Sequence, residues 1–256
     1  MNARPERSID LLSTLTRRVL FAPLEDQGRA GAVAERLRTA ISLGIVAENE
    51  LLPSETDLAA QFNVSPVTLR DALTELRTAG LVTTRRGRGG GTVVSGPLPD
   101  QRQASIEAVS SLSSVDLRDL ADWRRTIGAE SARLAARRAS ERDFTLLDRG
   151  VENLENASDA VDARRADSRY YIELAAASQS ARLSRASIRL QVEYASVLTL
   201  VYAHETTRKA ASSLLRTLTL AVREARVEEA GRCAAQAVDV VAARAALLRA
   251  QGWEIS

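Results

Sequence analysis

The stretch that decides the fold is Ser54-Glu55-Thr56-Asp57-Leu58-Ala59-Ala60-Gln61-Phe62-Asn63-Val64-Ser65-Pro66-Val67-Thr68-Leu69-Arg70-Asp71-Ala72-Leu73-Thr74-Glu75-Leu76, followed by Gly80 and a hairpin-like run to Val94. Ser54 stands three residues before Asp57, the spacing of a reciprocal helix cap, with Asp a weaker closing partner than Glu. Leu58, Ala59 and Phe62 give that helix its buried side, and Asn63 tolerates the left-handed backbone that ends one. Ser65 is a good N-cap, and Pro66 takes the first helical position, where a missing N–H costs nothing. Leu69, Leu73 and Leu76 form the inward stripe of the second helix, which Gly80 closes. Val67, Thr68, Arg70 and Asp71 are left on its outward, N-terminal side.

Leu81 to Arg86 and Thr92 to Val94 are apolar or β-branched runs separated by a glycine-rich turn, which predicts a hairpin with arginines at its tip. Two short helices, a tight joint and a basic hairpin make a winged helix-turn-helix, a form that lays its second helix in a DNA major groove. The candidate contacts to DNA are Ser65, Val67, Thr68 and Arg70 on the helix, and Arg85, Arg86, Arg88 and Gly89 in the wing. Each has a plainer alternative. Arg70 could pair with Glu75 or Asp71, the wing arginines could sit on a solvated turn, and Val67 could simply face water. A nucleotide phosphate cradle is excluded, since no Lys-Ser/Thr pair follows the glycines and no helix opens after them.

Working outward, residues 1–28 read as an N-terminal extension whose patch Leu11-Leu12-Ser13-Thr14-Leu15 fits either a short packed helix or a sticky tail. Val33, Leu37 and Ile41 recur every four residues, which predicts an amphipathic helix from Arg29 to Leu43, stopped by Gly44. Ile45 to Leu52 reads as a short strand or loop. The DNA-binding domain is thus expected over 29–95. Gly96-Pro97-Leu98-Pro99-Asp100 marks a boundary, with a linker over 96–104. From 105 to 256 the pattern is an all-α bundle of about seven helices, and no proline follows Pro99. One of those helices is expected to run unbroken through Leu183, Leu190, Tyr194, Val197 and Val201. The fold class is therefore mainly α: an α+β winged helix, then a helical bundle.

The chain as a whole bounds the function. Its 256 residues suffice for two domains, and it has no long apolar run or secretory leader, so a soluble cytoplasmic protein without a membrane partner is expected. A single cysteine, Cys233, excludes an internal disulfide and a thiolate metal cluster. The net charge of +2 says little about a nucleic-acid partner, but Arg85, Arg86 and Arg88 fall within four positions, and no acid lies between Glu75 and Asp100. Lys209 is the only lysine, a bias that reads as genome composition and fits a bacterial source. With one histidine, one cysteine and no catalytic motif, no convergent active site is expected, so the chain is not read as an enzyme.

These residues resemble the GntR family of bacterial transcription regulators over Arg29 to Val94. The resemblance is carried by Leu52-Pro53-Ser54-Glu55, Leu58-Ala59, Val64-Ser65, Thr68-Leu69-Arg70, Ala72-Leu73, Leu76, Gly80-Leu81 and the Arg-Gly-Arg-Gly wing. More diffusely, the helical half resembles the FadR-type effector domain through Asp116-Leu117-Arg118-Asp119-Leu120, Arg124, the segment from Glu130 to Arg137, Ala221-Val222-Arg223 and Glu228-Glu229-Ala230. The resemblance implies a homodimer on a palindromic double-stranded operator, a small-molecule effector, often a carboxylate, in the helical domain, and most often repression. Two departures bear on specificity. The family usually places arginine after the capping serine and a basic residue after the Ser-Glu pair, where this chain has Pro66 and Thr56. Each missing arginine removes a potential guanine contact worth roughly 1–3 kcal/mol of discrimination, so the operator is expected to differ from the common one.

Many relatives also hold a metal with one aspartate and three histidines. Asp167 stands at the aspartate position, but Tyr171, Leu215 and Ala237 fall where the histidines would be, so no metal and no other cofactor is expected. The candidate effector contacts are Arg124, Asp167, Tyr171 and His204. Arg124 could instead pair with Asp122 or Asp167, the tyrosines could fill core, and His204 could cap a helix end. Two other readings of the chain stay open: a ligand-free dimerisation domain behind the DNA-binding half, or a helical protein-interaction scaffold.

Overall fold

The computed structural model describes residues 13–21, 30–87, 90–95 and 101–253, which fall into two compact units, Met1–Pro99 and Asp100–Ser256. In the first unit, α1 (Thr14–Leu20), α2 (Ala30–Ser42), α3 (Glu55–Phe62) and α4 (Pro66–Thr78) precede an antiparallel pair, β1 (Val82–Arg85) and β2 (Gly91–Val94). Register runs from Val82 opposite Val94 to Arg85 opposite Gly91. The expected strand-or-loop before Pro53 adds a single bridge, Leu51 to Val93, supported by Leu52 N to Thr92 O at 2.9 Å.

Leu37, Leu58, Phe62, Leu69, Leu73, Leu76 and Val82 are all buried. Each such side chain contributes roughly 1.5–3 kcal/mol on burial. Of the N-terminal patch, Thr14 and Leu15 begin α1, whereas Leu11 and Leu12 lie outside the described residues. Phe21 packs on Phe62 with ring centroids 5.8 Å apart, and Arg36 Nη1 donates to the terminal carbonyls of α1 at Val19 (3.1 Å) and Leu20 (3.2 Å). Those carbonyls would otherwise lack partners at the helix end.

The second unit is all helical: α5 (Gln101–Ser110), α6 (Ser114–Arg138), α7 (Glu141–Glu155), α8 (Ala160–Ala177), α9 (Ala181–Glu193), α10 (Ala195–Val201), α11 (Glu205–Arg223) and α12 (Val227–Ala250). Caps start them. Ser113 and Asp116 form a full capping box on α6, Asp159 accepts from Val161 and Asp162 on α8, and Ser180 accepts from Leu183 on α9. Helix α8 lies at the centre, buried on nearly every side against α6, α7, α9 and α10. Gly150 of α7 allows close approach, since a Cβ there would meet the Tyr170 ring at 3.1 Å.

Two expectations need correction. The linker expected over 96–104 is helical from Gln101, because Arg102 to Ser105 continue the pattern of α5 without a breaker; 96–100 lie outside the described residues. The single long helix expected through Tyr194 is two, parted at that residue, whose φ of −87° and ψ of −5° mark a turn. No proline or glycine announces this break, so apolar spacing alone runs straight through it. Among the described residues no helix is long and apolar enough to cross a membrane.

Candidate functional site

The first candidate surface is the start of α4. Ser65 accepts from Thr68 N at 3.1 Å and its hydroxyl lies 2.9 Å from that of Thr68, with Pro66 in the first turn. This fixes the α4 backbone where an orphan N–H would otherwise be unpaired. The joint before it is set by Asn63, left-handed at φ 53° and ψ 50°. Ser54 caps α3 through Asp57 N, but the cap is not reciprocal. Asp57 accepts from the Ser54 hydroxyl at 2.7 Å instead of from the Ser54 backbone N–H.

With Leu69, Ala72, Leu73 and Leu76 buried, α4 leaves Val67 (64% exposed) and Arg70 on its open side and Thr68 half-buried between them. Arg70 pairs with neither acid weighed above. Its Nε donates to Glu55 Oε2 at 3.1 Å, whereas Glu75 binds Arg38 at 2.9 Å. Arg85 and Arg86 are exposed at the end of β1, and Gly87 turns the chain at φ +105°, a region that disfavours side chains. Arg88 and Gly89 lie outside the described residues.

The second candidate lies inside the helical unit. Arg124 of α6, 1% exposed, forms an ion pair with Asp167 of α8, 2% exposed. Tyr202, at the end of α10, donates to the other Asp167 oxygen at 2.7 Å. The guanidinium sits over two rings, 4.6 Å from the centre of Tyr171 and 5.0 Å from that of Tyr194. Gly128, one turn along α6, makes room for this, since a Cβ there would meet Tyr171 Cε1 at 3.1 Å. Burial, the largest single influence, pulls the Arg124 pKa down, but Asp167 together with Tyr171, Tyr202 and Tyr194 outweighs it and the net direction is up. Burial drives the phenols of Tyr171, Tyr194 and Tyr202 upward, so all three stay neutral.

Several buried polar atoms here have no partner among the described residues: Arg124 Nε and Nη1, the hydroxyls of Tyr171 and Tyr194, both amide atoms of Gln191, and Ser168 Oγ. Tyr170, by contrast, is satisfied by Thr219 at 2.9 Å and belongs to the core. Three of the four residues expected to touch an effector, Arg124, Asp167 and Tyr171, thus come together. His204 makes no side-chain hydrogen bond to them, and its Nε2 is buried without a partner among the described residues. It caps α11 without a side-chain bond, and burial followed by the charge of Arg244 lowers its pKa.

Sequence reasoning missed Tyr194, Tyr202 and Gln191. The available signal was the polar series Ser184, Ser187 and Gln191, all on one buried face of α9. The residues do not fit a metal. Asp167 is already engaged by Arg124 and Tyr202, Leu215 and Ala237 are apolar, and no group of three or more metal-binding side chains occurs among the described residues.

A winged helix coupled in one chain to a helical bundle with a buried polar centre is the build of a two-domain bacterial regulator. Residues 29–94 match the family model of bacterial regulatory proteins, gntR family, and residues 119–240 match the FCD domain. The chain belongs to the GntR family and carries an FCD-type second domain, a class of regulators rather than enzymes. It is 41% identical over 174 residues to a Mycobacterium gastri protein designated HTH-type transcriptional regulator RmpR, a match covering 68% of this chain and 64% of that one. It is 32% identical over 136 residues to the Glc operon transcriptional activator of Escherichia coli (strain K12), covering 50% of this chain and 49% of that one. The chain therefore spans between about half and two thirds of the length of these relatives. The solved structure of E. coli McbR/YncC shares the fold, with a TM-score of 0.51 at 17% identity over 87% of this chain and 97% of that one.

Proposed function

We propose that this chain is a sequence-specific, DNA-binding transcription regulator that acts as a homodimer on a palindromic operator, and that it represses. The operator affinity is set by a small molecule bound in the helical unit. The observation that carries this reading is the start of α4, a firmly capped helix with Val67, Thr68 and Arg70 on its open side. Thr68 and Arg70 read base edges, Ser65 and the wing residues Arg85, Arg86, Arg88 and Gly89 follow the phosphates, and Val67 meets a thymine methyl. Arg124, Asp167 and Tyr171 are the effector contacts, and the effector works by favouring one arrangement of the paired winged helices.

The orphaned polar atoms around Arg124 favour an effector-bound domain over a ligand-free dimeriser. Selection of bound sequences from a random duplex pool tests the reading. The expected result is one palindromic site, bound as a dimer, whose log affinity falls linearly with log salt. Binding with no sequence preference and no salt dependence would instead support the protein-interaction scaffold.

A further inference from the structure

The buried centre of the helical unit is complete except for what its unpartnered atoms need. Five side chains supply them, all nine-tenths or more buried: Arg124, Ser168, Tyr171, Gln191 and Tyr194. Their placement is mutually consistent. Tyr171 and Tyr194 both lie against the guanidinium, and Ser168 is one turn before Tyr171 on α8. Gln191 sits on α9 one turn beyond Ser187, which bonds the Tyr171 carbonyl at 3.1 Å, and three residues before Tyr194. Leaving so many donors and acceptors bare in an interior costs about 1–3 kcal/mol for each, a cost that a bound molecule able to pair with them would remove.

Charge selects the class of occupant. Among the described residues of this unit the buried charged side chains are Arg124, Arg164, Asp167 and Glu173, two positive and two negative. Arg124 already spends its charge on Asp167, and the surrounding phenols are neutral. A carboxylate entering beside Arg124 would leave one negative charge in excess within a low-dielectric interior, where an unbalanced ion is costly. A carbonyl oxygen on a neutral molecule would accept from either Nε or Nη1, which lie on opposite edges of the guanidinium, without that penalty. Hydroxyl or amide groups on the same molecule would satisfy Tyr171, Tyr194 and Gln191.

We propose that the buried polar site around Arg124, Tyr171, Gln191 and Tyr194 binds an uncharged small molecule bearing a carbonyl, such as an amide or a lactone, in place of the carboxylate that the family resemblance implies. The inference rests on reading the helical unit as the effector domain. Its test uses purified full-length protein and matched pairs of one shape and two charges: nicotinamide with nicotinate, benzamide with benzoate, and γ-butyrolactone with γ-hydroxybutyrate. Thermal unfolding and calorimetry are read on the protein alone, and operator binding is measured separately. Loss of operator binding would thus sink the regulator reading without touching this one.

The expected result is that at least one neutral member raises the unfolding temperature and binds at least about ten-fold more tightly than its anion. Tyr194→Phe should weaken that binding about five-fold while leaving the unliganded protein folded, since it deletes one unpartnered hydroxyl. Gln191→Leu serves as a second variant should the first unfold. Preference for the anions, no stabilisation by any pair, or stabilisation that both variants leave unchanged would each overturn the proposal.

Discussion

Arg70 donates through Nε to Glu55 Oε2 across 3.1 Å, tying the first turns of α4 and α3 together at the face proposed to meet DNA. This contact commits one edge of the guanidinium and leaves Nη1 and Nη2 without a bond among the described residues, and guanine recognition uses such a pair of donors. Arg70→Ala should weaken binding to the selected operator by about 1–3 kcal/mol, roughly five- to 150-fold, with fold and dimer unchanged. Arg70→Lys should not restore it, because an ammonium cannot bind bidentately. Fluorescence anisotropy against specific and scrambled duplexes checks this. A variant as tight and selective as the parent would show that α4 is not the reading helix.

Glu55 has a separate consequence. It places a negative charge beside Arg70, where a phosphate would otherwise be attracted. Glu55→Gln should therefore raise affinity for scrambled duplex more than for operator, narrowing the ratio between them. The slope of log affinity against log salt on scrambled duplex should steepen by up to about one phosphate contact. An unchanged ratio would reduce the pair to a surface ion pair of little worth.

The Ser65 cap carries both stability and aim. Ser65→Ala frees Thr68 N and removes the hydroxyl partner of Thr68. The expected cost is about 1 kcal/mol, seen as a lower urea midpoint at unchanged m-value. Operator affinity should fall further than this stability loss explains, because Thr68 is also a proposed base reader.

The difference between what could and could not be read beforehand follows from range. Ser65-Pro66, Asn63 and the Leu69-Leu73-Leu76 stripe are local signals, and each acts within its own turn, so the winged helix was legible residue by residue. The Arg124–Asp167 pair spans 43 positions and could only be offered as one of several partners. By spacing, Tyr194 is one more apolar residue in a helix, because nothing in its neighbours marks the break there or the arginine it faces. Glu55 escaped notice for the same reason: its partner is 15 residues away, across a joint.

That long-range pair yields its own prediction. Removing one member strands the other charge in the interior, so Asp167→Ala should destabilise the helical unit by about 3–5 kcal/mol. Replacing both, Arg124→Met with Asp167→Leu, should recover most of the loss, since the pair's own desolvation cost disappears with it. Denaturant unfolding of Asp167→Ala and of the double variant checks this. If the double variant were no more stable than Asp167→Ala, the polar site would be structural in itself and not a preformed receptor.

His204, the chain's single histidine, makes the pH dependence readable. Burial and the nearby charge of Arg244 lower its pKa from the ordinary 6.5, so the unfolded chain takes up a proton before the folded one does. The His204 contribution is therefore intact above pH 6.5 and is lost as pH falls through the folded-state pKa. No other side chain has an ordinary pKa in this window, and most carboxylates titrate below it. Thermal unfolding measured from about pH 8 down to about pH 5.5 should show a decline in the parent that His204→Gln flattens. Because His204 makes no side-chain hydrogen bond to the Arg124 cluster among the described residues, the same variant should leave the preference for neutral over anionic ligands untouched. A shift in that preference would bring His204 back into the effector site.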